Sequence, residues 1–234
     1  MDVKKINEIG NVFKNLLHLE GSPVAVKLIS GENDIPGRYK KLDRQLRHCQ
    51  IVDHVRRTGD CFYTTAQEHL CGGGAAAMGL GKLPEKVKTG EFYCDSLHQF
   101  ETVAGAKKTV DEISFLEPFS NSIALYAPLE SADFEPDVVI IICKPKQAML
   151  LTQGYVYKDG GRIHAEFSGK QSVCSDAVAQ VIKSGQPNVT VGCGGSRTYA
   201  KIMDEEMLYA FPVKDIEKTA YGLGILIGGS GQKK

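Results

Sequence analysis

The stretch "PDVVIIICKPKQAMLLTQGYVY", residues 136–157, decides the fold class. Every residue from Val138 to Cys143 is apolar, and prolines at positions 136 and 145 bound the run. A half-buried strand alternates polar and apolar residues, so an apolar run without alternation predicts a strand that is buried on both faces. The residues after Pro145 fit a helix that starts where this strand ends. The segment therefore predicts a strand and a helix at the centre of a sheet protein.

Predicted strands and helices alternate along the chain before and after this segment. Apolar spacing predicts an amphipathic helix over residues 5–19 and a strand in "PVAVKLI", residues 23–29. The downstream predictions are a strand over 162–169, a helix over 172–185, a strand over 188–193 and a last helix over 215–227. Residues 49–59, "CQIVDHVRRTG", are interpreted as a short strand that leads to Cys61. The pattern predicts an α/β or α+β fold, with a mixed sheet flanked by helices in one compact body over residues 1–234.

Composition argues against several classes of function. The chain has 28 basic and 28 acidic side chains, so it has no basic field for a nucleic acid. No apolar run reaches the roughly 18 residues of a membrane helix, and the first residues lack the core of a signal peptide. We therefore expect a soluble cytoplasmic protein without a nucleic-acid or membrane partner. The apolar segment "YGLGILIGG", residues 221–229, is expected in the core or against a second subunit, which would make a homo-oligomer.

The cysteines carry the strongest signal for chemistry. Seven are too few for a disulfide scaffold, and five of them lie at segment ends or in glycine-rich turns. These five are Cys49, Cys61, Cys71, Cys174 and Cys193. Zinc ribbons need Cys-x2-Cys pairs, which are absent, whereas widely spaced cysteines from several loops hold iron–sulfur clusters in many enzymes. The five are therefore predicted as metal ligands, with a four-iron 4Fe–4S cluster as the expected group; the alternative is that they are ordinary packed or surface thiols.

Two further cysteines are given no role in the site. Cys143 lies inside the apolar run of the central strand and is interpreted as a small buried apolar residue. Cys94 has polar neighbours and no cysteine at a matching spacing.

Glycine pairs follow two of the candidate cysteines, in "CGGGAAAMG" and "GCGGSRTYAKI". Backbone amides in such turns form a concave anion site at a helix start, and an arginine adds a bidentate donor. The residues predicted to bind a small anionic ligand are Gly72, Gly73, Gly194, Gly195 and Arg197. Neither stretch matches a phosphate-binding loop or a dinucleotide fingerprint, and tight turns with close helix packing are the competing interpretation.

His69, two positions before Cys71, is a candidate catalytic residue. It is predicted as a ligand, a proton shuttle or a base that activates a thiolate. The competing interpretation is a structural histidine.

The chain also has a weak internal echo, which divides it into halves 1–120 and 121–234. In the first half a predicted strand reaches Cys61 and Cys71-Gly72-Gly73 follows; in the second a strand reaches Cys174 and Cys193-Gly194-Gly195 follows. The spacings differ, at ten residues against nineteen. A duplication remains one interpretation of this pattern.

With the segments "FSGKQSVCSDAVAQVIKSGQPNVTVGCGGSR" and "CGGGAAAMGL" the chain resembles domain of unknown function 169, a family of archaea and anaerobic bacteria. The resemblance covers most of residues 10–225 and is most specific around Cys193. It implies an anaerobe and an oxygen-sensitive thiolate site, but it implies no catalytic residue. Cys71, Cys174 and Cys193 match as motif positions only.

Three functions remain open. The first is a cysteine-ligated iron–sulfur protein of an anaerobe, in which Cys49, Cys61 and Cys71 hold the cluster and Cys174 or Cys193 completes or flanks the site. Its redox or cofactor-related role would be electron transfer or chemistry at an open iron, with a small anionic ligand in the glycine-rich pocket or a redox protein as partner. The second is a metal-free thiol enzyme that uses Cys71 or Cys193 as a nucleophile, with assistance from His69. The third is a non-catalytic module that binds a small ligand.

Overall fold

A mixed sheet runs through the protein, and the predicted strand Val138–Cys143 lies near its centre. The computed structural model describes residues 1–228. The strands of this region are β1 Val24–Ile29, β2 Lys40–Lys41, β3 Phe62–Thr64, β4 Ile123–Pro128, β5 Val138–Cys143, β6 Asn188–Thr190 and β7 Met207–Pro212. Their order across the sheet is β2-β3-β4-β1-β5-β7-β6. Only β2 and β3 pair in parallel; the other neighbours are antiparallel.

Helices cover both sides of the sheet. They are α1 Val3–Leu17, α2 His48–Thr58, α3 Gly72–Ala77, α4 Glu85–Lys88, α5 Val103–Glu112, α6 Pro145–Val156, α7 Gln180–Ser184, α8 Gly194–Tyr199 and α9 Val213–Gly228. Two segments, Phe92–Ser96 and Ser172–Ala179, are π-helical. None of the helices within residues 1–228 has the length and apolar character that a membrane crossing needs.

Alternating side chains divide the core into two layers. Val24 and Val26 of β1 pack with α2, α3 and the π segment 172–179 on one side of the sheet, which we call the α2 side. Ala25 and Ile29 pack with α1, α6 and α9 on the other, the α9 side. The central strands are buried on both faces because helices cover both, which is why β5 shows no polar alternation.

The sheet is built as two halves related by an approximate twofold rotation. Strands β1 and β5 are antiparallel, and the axis passes between their paired residues Ala25 and Val139. Rotation exchanges β1 with β5, β4 with β7 and β3 with β6, and it preserves chain order within each half.

The strand registers obey the same rotation. Val24 pairs with Pro128 at the end of β4, and Val138 pairs with Pro212 at the end of β7. The three pairs of β3 with β4 likewise correspond to the three pairs of β6 with β7. The two halves therefore repeat a topology, but their correspondence differs from the echo of the sequence, since the rotation relates Cys174 to Cys49 and the echo paired it with Cys61. Because β4 belongs to the first half, the boundary lies after residue 128 and not at residue 120.

Two local predictions were wrong. Residues 49–59 form most of α2, since Ile51, Val52 and Val55 fall on one buried helix face and Gly59 ends the helix at φ +79°. Residues 162–169 form no strand. Beside them the edge strand β6 offers the side-chain amide of Asn188, which bonds to the backbone of Glu166 in both directions.

The remaining main predictions are confirmed. The first helix, the strand at residues 24–29, the helix after β5, the strand at 188–190 and the last helix all form. Residues 222 and 223 of the apolar segment 221–229 pack against α6 in the core, whereas Tyr221 is exposed and residue 229 lies outside the described region.

We expect Gly222→Ala to lower the free energy of unfolding by about 1–3 kcal/mol, the usual cost of overpacking a core. Its new methyl group would overlap the carbonyl oxygen of Gly154 where α9 crosses α6. Gly224→Ala is the matched control, because position 224 faces open space in the same helix. This control should stabilise the protein by about 0.5–1 kcal/mol. Urea titrations of both variants measure the contrast, and equal effects would contradict the described helix crossing.

Candidate functional site

Four of the five candidate cysteines meet on the α2 side of the sheet. Cys49 lies in the first turn of α2, Cys71 and Cys193 precede α3 and α8, and Cys174 lies in the π segment 172–179. Burial raises the pKa of Cys174 well above the usual thiol value, and the neighbouring Cys71, Cys193 and Cys49 raise it further. Burial, Cys193 and Cys71 likewise raise the pKa of Cys49 to about 12. The four thiols are therefore mutual neighbours.

The twofold rotation of the sheet explains how the four thiols come together. It relates Cys49 to Cys174, each near the start of a helical segment, and Cys71 to Cys193, each preceding a short helix. Helix α2 packs against α8, and the π segment packs against α3. Each half thus brings a cysteine to the half opposite it, and both halves are needed to form the cluster of thiols.

A π-helical turn compensates for a one-residue difference in length between the two halves. Gly59 ends α2 ten residues after Cys49, whereas Gly185 ends α7 eleven residues after Cys174. A π-helical turn accommodates an extra residue within a helix, and such turns are frequent at functional sites. The extra residue therefore leaves both the cysteine and the terminal glycine in equivalent positions.

Cys193 has the surroundings of a stabilised thiolate. Burial alone would raise its pKa, but the polar groups of Ser172 and Ser196 that face the thiol outweigh burial and lower it, although the Ser172 hydroxyl makes no hydrogen bond of normal geometry within residues 1–228. Its side chain is also partly exposed, in contrast to that of Cys174. Cys193 is therefore the thiol of the four that is best suited to react as a nucleophile in a metal-free protein.

Two buried histidines lie beside the thiols with unfilled nitrogens. His48 precedes Cys49, and its Nδ1 lies 3.0 Å from the hydroxyl of Tyr126. Its Nε2 lies toward the backbone of Val173 without a hydrogen bond of normal geometry. His69 stacks on His48 with ring centroids 6.3 Å apart, and its Nδ1 has no partner.

Both imidazoles are neutral at neutral pH. Burial, assisted by His69, lowers the pKa of His48 to about 3. Burial also lowers the pKa of His69 to about 4, against an opposing effect of Glu68. The structure places His69 against His48, as a weak base whose Nε2 is held 2.8 Å from the hydroxyl of Thr64.

Gln171 adds a third unfilled polar atom. It is buried at φ +48° just before the π segment, and its Nε2 donates to the hydroxyl of Tyr93. Its Oε1 has no partner among the described residues. An unsatisfied buried polar atom costs about 1–3 kcal/mol, so these three atoms are open to a hydrogen bond from a bound water or ligand.

Cys61 does not join the other four. It lies just before β3, where alternation places residues 61 and 63 on the α9 side and Phe62 on the α2 side. Its neighbours there include Tyr39, whose pKa burial raises above the usual range with a smaller effect of Cys61. The sequence prediction gave Cys61 to the site because it lies at a segment end, but the sheet separates it from the other four thiols.

The two cysteines that were set aside lie elsewhere. Cys143 is buried on the α9 side, and Cys94 packs in a separate small cluster with Tyr93 and Val110.

Gly72, Gly73 and Arg197 have packing roles, whereas a side chain at Gly194 or Gly195 would make only ordinary contacts with Gln99 or Cys193. A side chain at Gly72 would overlap Pro84, and one at Gly73 would press on the amide of Gln171. The guanidinium of Arg197 donates to the backbone carbonyls of residues 191, 202, 203 and 206. It holds the turn after α8 in place, and its donors are directed at these carbonyls and not at an anion.

The side chains of the site are not arranged to hold a single metal ion. Among residues 1–228, no three His, Cys, Asp or Glu side chains stand where they could hold one metal ion together. The arrangement therefore does not describe a single-ion site.

Asp176, in the π segment, is a buried acid whose pKa is shifted. Burial raises the pKa of Asp176 to about 7, although the hydroxyl of Thr190, 2.8 Å away, lowers it in part. Asp176 therefore holds its proton below neutral pH.

Acidification of the metal-free protein from pH 6.5 to 5 should lower its free energy of unfolding. The unfolded chain protonates both imidazoles near pH 6.5 and the folded protein does not, so their contribution is lost as the pH falls. Asp176 acts in the opposite sense, because its carboxyl binds a proton in the folded state first. Two protons against one leave a net loss from these three groups that approaches about 1.4 kcal/mol per pH unit near pH 5 and is smaller near pH 6.5, where the unfolded imidazoles are half protonated.

His48→Gln should remove about 1.4 kcal/mol per unit from that slope, whereas His164→Gln, at an exposed position, should leave it unchanged. Denaturant titrations at several pH values measure the slopes. An equal slope in wild type and in the His48 variant would rule out a neutral buried imidazole.

Comparisons with known proteins agree with the resemblance of the sequence. Uncharacterized protein MJ0308 of Methanocaldococcus jannaschii is 43% identical over 220 residues, which cover 92% of this chain and 94% of that protein. No solved structure matches the chain. The family model for domain of unknown function 169, described as uncharacterised ArCR, matches residues 12–222, a range that contains all four neighbouring thiols. The chain therefore belongs to the uncharacterised ArCR family, domain of unknown function 169.

Proposed function

We propose that Cys49, Cys71, Cys174 and Cys193 bind a 4Fe–4S cluster. The observation that carries the proposal is that four thiols from distant parts of the chain converge, two from each half of the sheet. A 4Fe–4S cluster takes four cysteine thiolates, which is the number that meets here. Cys61 is left out of the ligand set because it lies on the α9 side.

A 4Fe–4S cluster spreads its ligands more widely than a single ion does, because each thiolate binds a different iron. Among residues 1–228 no three ligand side chains stand where they could hold one ion, while the thiols influence one another's pKa.

The surroundings also suit a cluster. The apolar core on the α2 side excludes water, and burial of Cys49 and Cys174 makes uncompensated thiolates costly. Cationic iron would offset that cost, since a coordinating thiol is deprotonated outright. His48, His69 and Gln171 would then act around the cluster, where hydrogen bonding and solvent exposure set the reduction potential.

Four protein thiolates leave no iron open to substrate. The role that follows is electron transfer, with a redox partner protein, in preference to chemistry at an open iron. An oxygen-sensitive group of this kind fits the expectation of an anaerobic host.

A metal-free thiol enzyme is the second candidate, and the lowered pKa of Cys193 favours it. A thiolate at neutral pH is the nucleophilic form of cysteine. In this alternative Cys193 attacks an electrophile, and Cys49 and Cys174 remain protonated because burial raises their pKa.

Protein purified without oxygen should contain about four irons and about four acid-labile sulfides per chain. Serine at position 49, 71, 174 or 193 should remove most of both, because the cluster loses one of its thiolates. Cys61→Ser and Cys94→Ser are the matched controls and should keep full iron and sulfide. Iron and sulfide assays, with circular dichroism to establish folding, measure these contents.

Two results would sink the cluster proposal. One is a folded wild-type protein that binds neither iron nor sulfide even after anaerobic reconstitution. The other is full cluster content in all four serine variants.

Alkylation separates the two candidates further. In metal-free protein, iodoacetamide should label Cys193 before Cys49 or Cys174 at pH 7, because its lowered pKa favours the thiolate. Iron-loaded protein should resist labelling at Cys193 if that thiol is a ligand. Mass spectrometry of the labelled peptides provides the readout, and equal labelling with and without iron would favour the thiol enzyme.

A further inference from the structure

An open groove lies between α2 and the turn after α8, close to the thiols. Its cavity has a volume of about 550 Å³, which lies in the range of sites for small organic molecules. Gln50 and His54 line it from α2, and Tyr199 lines it from the end of α8. The twofold rotation predicts a second groove of the same construction in the other half.

That second groove is filled by the chain itself. Ser175 holds the position equivalent to Gln50, one residue after its cysteine, and donates to the carbonyl of Ser114 over 2.7 Å. Ala77 holds the position equivalent to Tyr199, and its carbonyl accepts from the amide of Leu116 at 3.1 Å. The hydroxyl of Ser114 also bonds to Gln180. Residues 114–116 thus occupy one groove, and the short connection from α8 to β7 supplies no counterpart for the other.

The open groove is lined for an anion. Arg44 and Lys201 border it, and neither has an acidic partner within residues 1–228. The acid of the lining, Asp53, is already bound by Arg56 and Arg57. The lining also includes apolar groups, among them Leu46, Ala200 and Met203.

The ring of Tyr199 adds an aromatic surface at the rim. The guanidinium of Arg47 lies 3.5 Å from its centroid and fixes the ring, which is 48% exposed. An exposed aromatic ring beside two unpaired cations matches a ligand that has both an apolar part and a negative charge.

We propose that the groove between α2 and α8 binds a small organic anion, with its charge on Arg44 and Lys201 and its apolar part against Tyr199 and Met203. The proposal does not depend on the group that the four thiols hold. Because Gln50 follows Cys49 along α2, a ligand there would sit within one helical turn of the thiol site.

The probe for a test is 1-anilinonaphthalene-8-sulfonate, an aromatic anion, titrated by calorimetry into protein whose iron content is measured in each sample. We expect one site per chain, with weaker binding at higher salt. Arg44→Gln and Lys201→Gln should each weaken binding about twofold to fivefold, the range for an exposed ion pair, and the double variant should weaken it further. Lys146→Gln, an exposed lysine on α6 beyond the sheet, is the matched control and should bind as wild type does.

The neutral analogue N-phenyl-1-naphthylamine tests the charge directly and should bind more weakly than the sulfonate. Three results would overturn the proposal: unchanged affinity in the double variant, equal affinity for both probes, or binding of an acidic extended peptide in place of the sulfonate. If the variants keep the iron content of the wild type, a change in their affinity for the sulfonate is an effect on the groove and not on the cluster.

Discussion

The antiparallel pairing of β1 with β5 around Ala25 and Val139 is the contact on which the rest of the fold depends. It joins two halves that would each expose a sheet edge and an apolar surface on their own. Residues adjacent along these strands face opposite sides of the sheet, so this one contact contributes to both apolar layers. A shift of one residue in its register would turn apolar side chains to the wrong side in both halves. The β1–β5 register therefore fixes where every helix packs.

The thiol site follows from that register. Helix α2 and the π segment that leads into α7 lie on the same side of the sheet, and each precedes one of the two strands, β3 and β6, that the rotation exchanges. Their cysteines approach the axis, and the cysteines before α3 and α8 arrive from the opposite halves. The cluster of thiols is thus a property of the assembled sheet, and no local segment of sequence contains it. A ligand that bridges the four thiols would also tie the halves together.

Sequence reasoning reached the parts of the fold that local patterns determine. The apolar run of β5 predicted a strand covered on both faces, because burial on both faces requires apolar residues at every position. The helical character of α2 was missed, since Ile51, Val52 and Val55 are β-branched and favour strands locally, while packing on the sheet decided the outcome. Four of the five predicted cysteines do meet. Cys61 was misplaced because which side of a sheet a residue faces depends on strand register, which spacing along the chain does not show.

The two halves share a frame but differ in the groups they place around it. Thr64 and Thr190 are both buried at the ends of equivalent strands, yet Thr64 bonds to a neutral imidazole and Thr190 to a buried carboxyl. One groove is filled by residues 114–116 and the other is open. A symmetric frame places the four thiols, whereas the two grooves beside it have different linings. The repeated topology therefore accounts for the position of the thiols, and the departures from the repeat account for the groove that stays open.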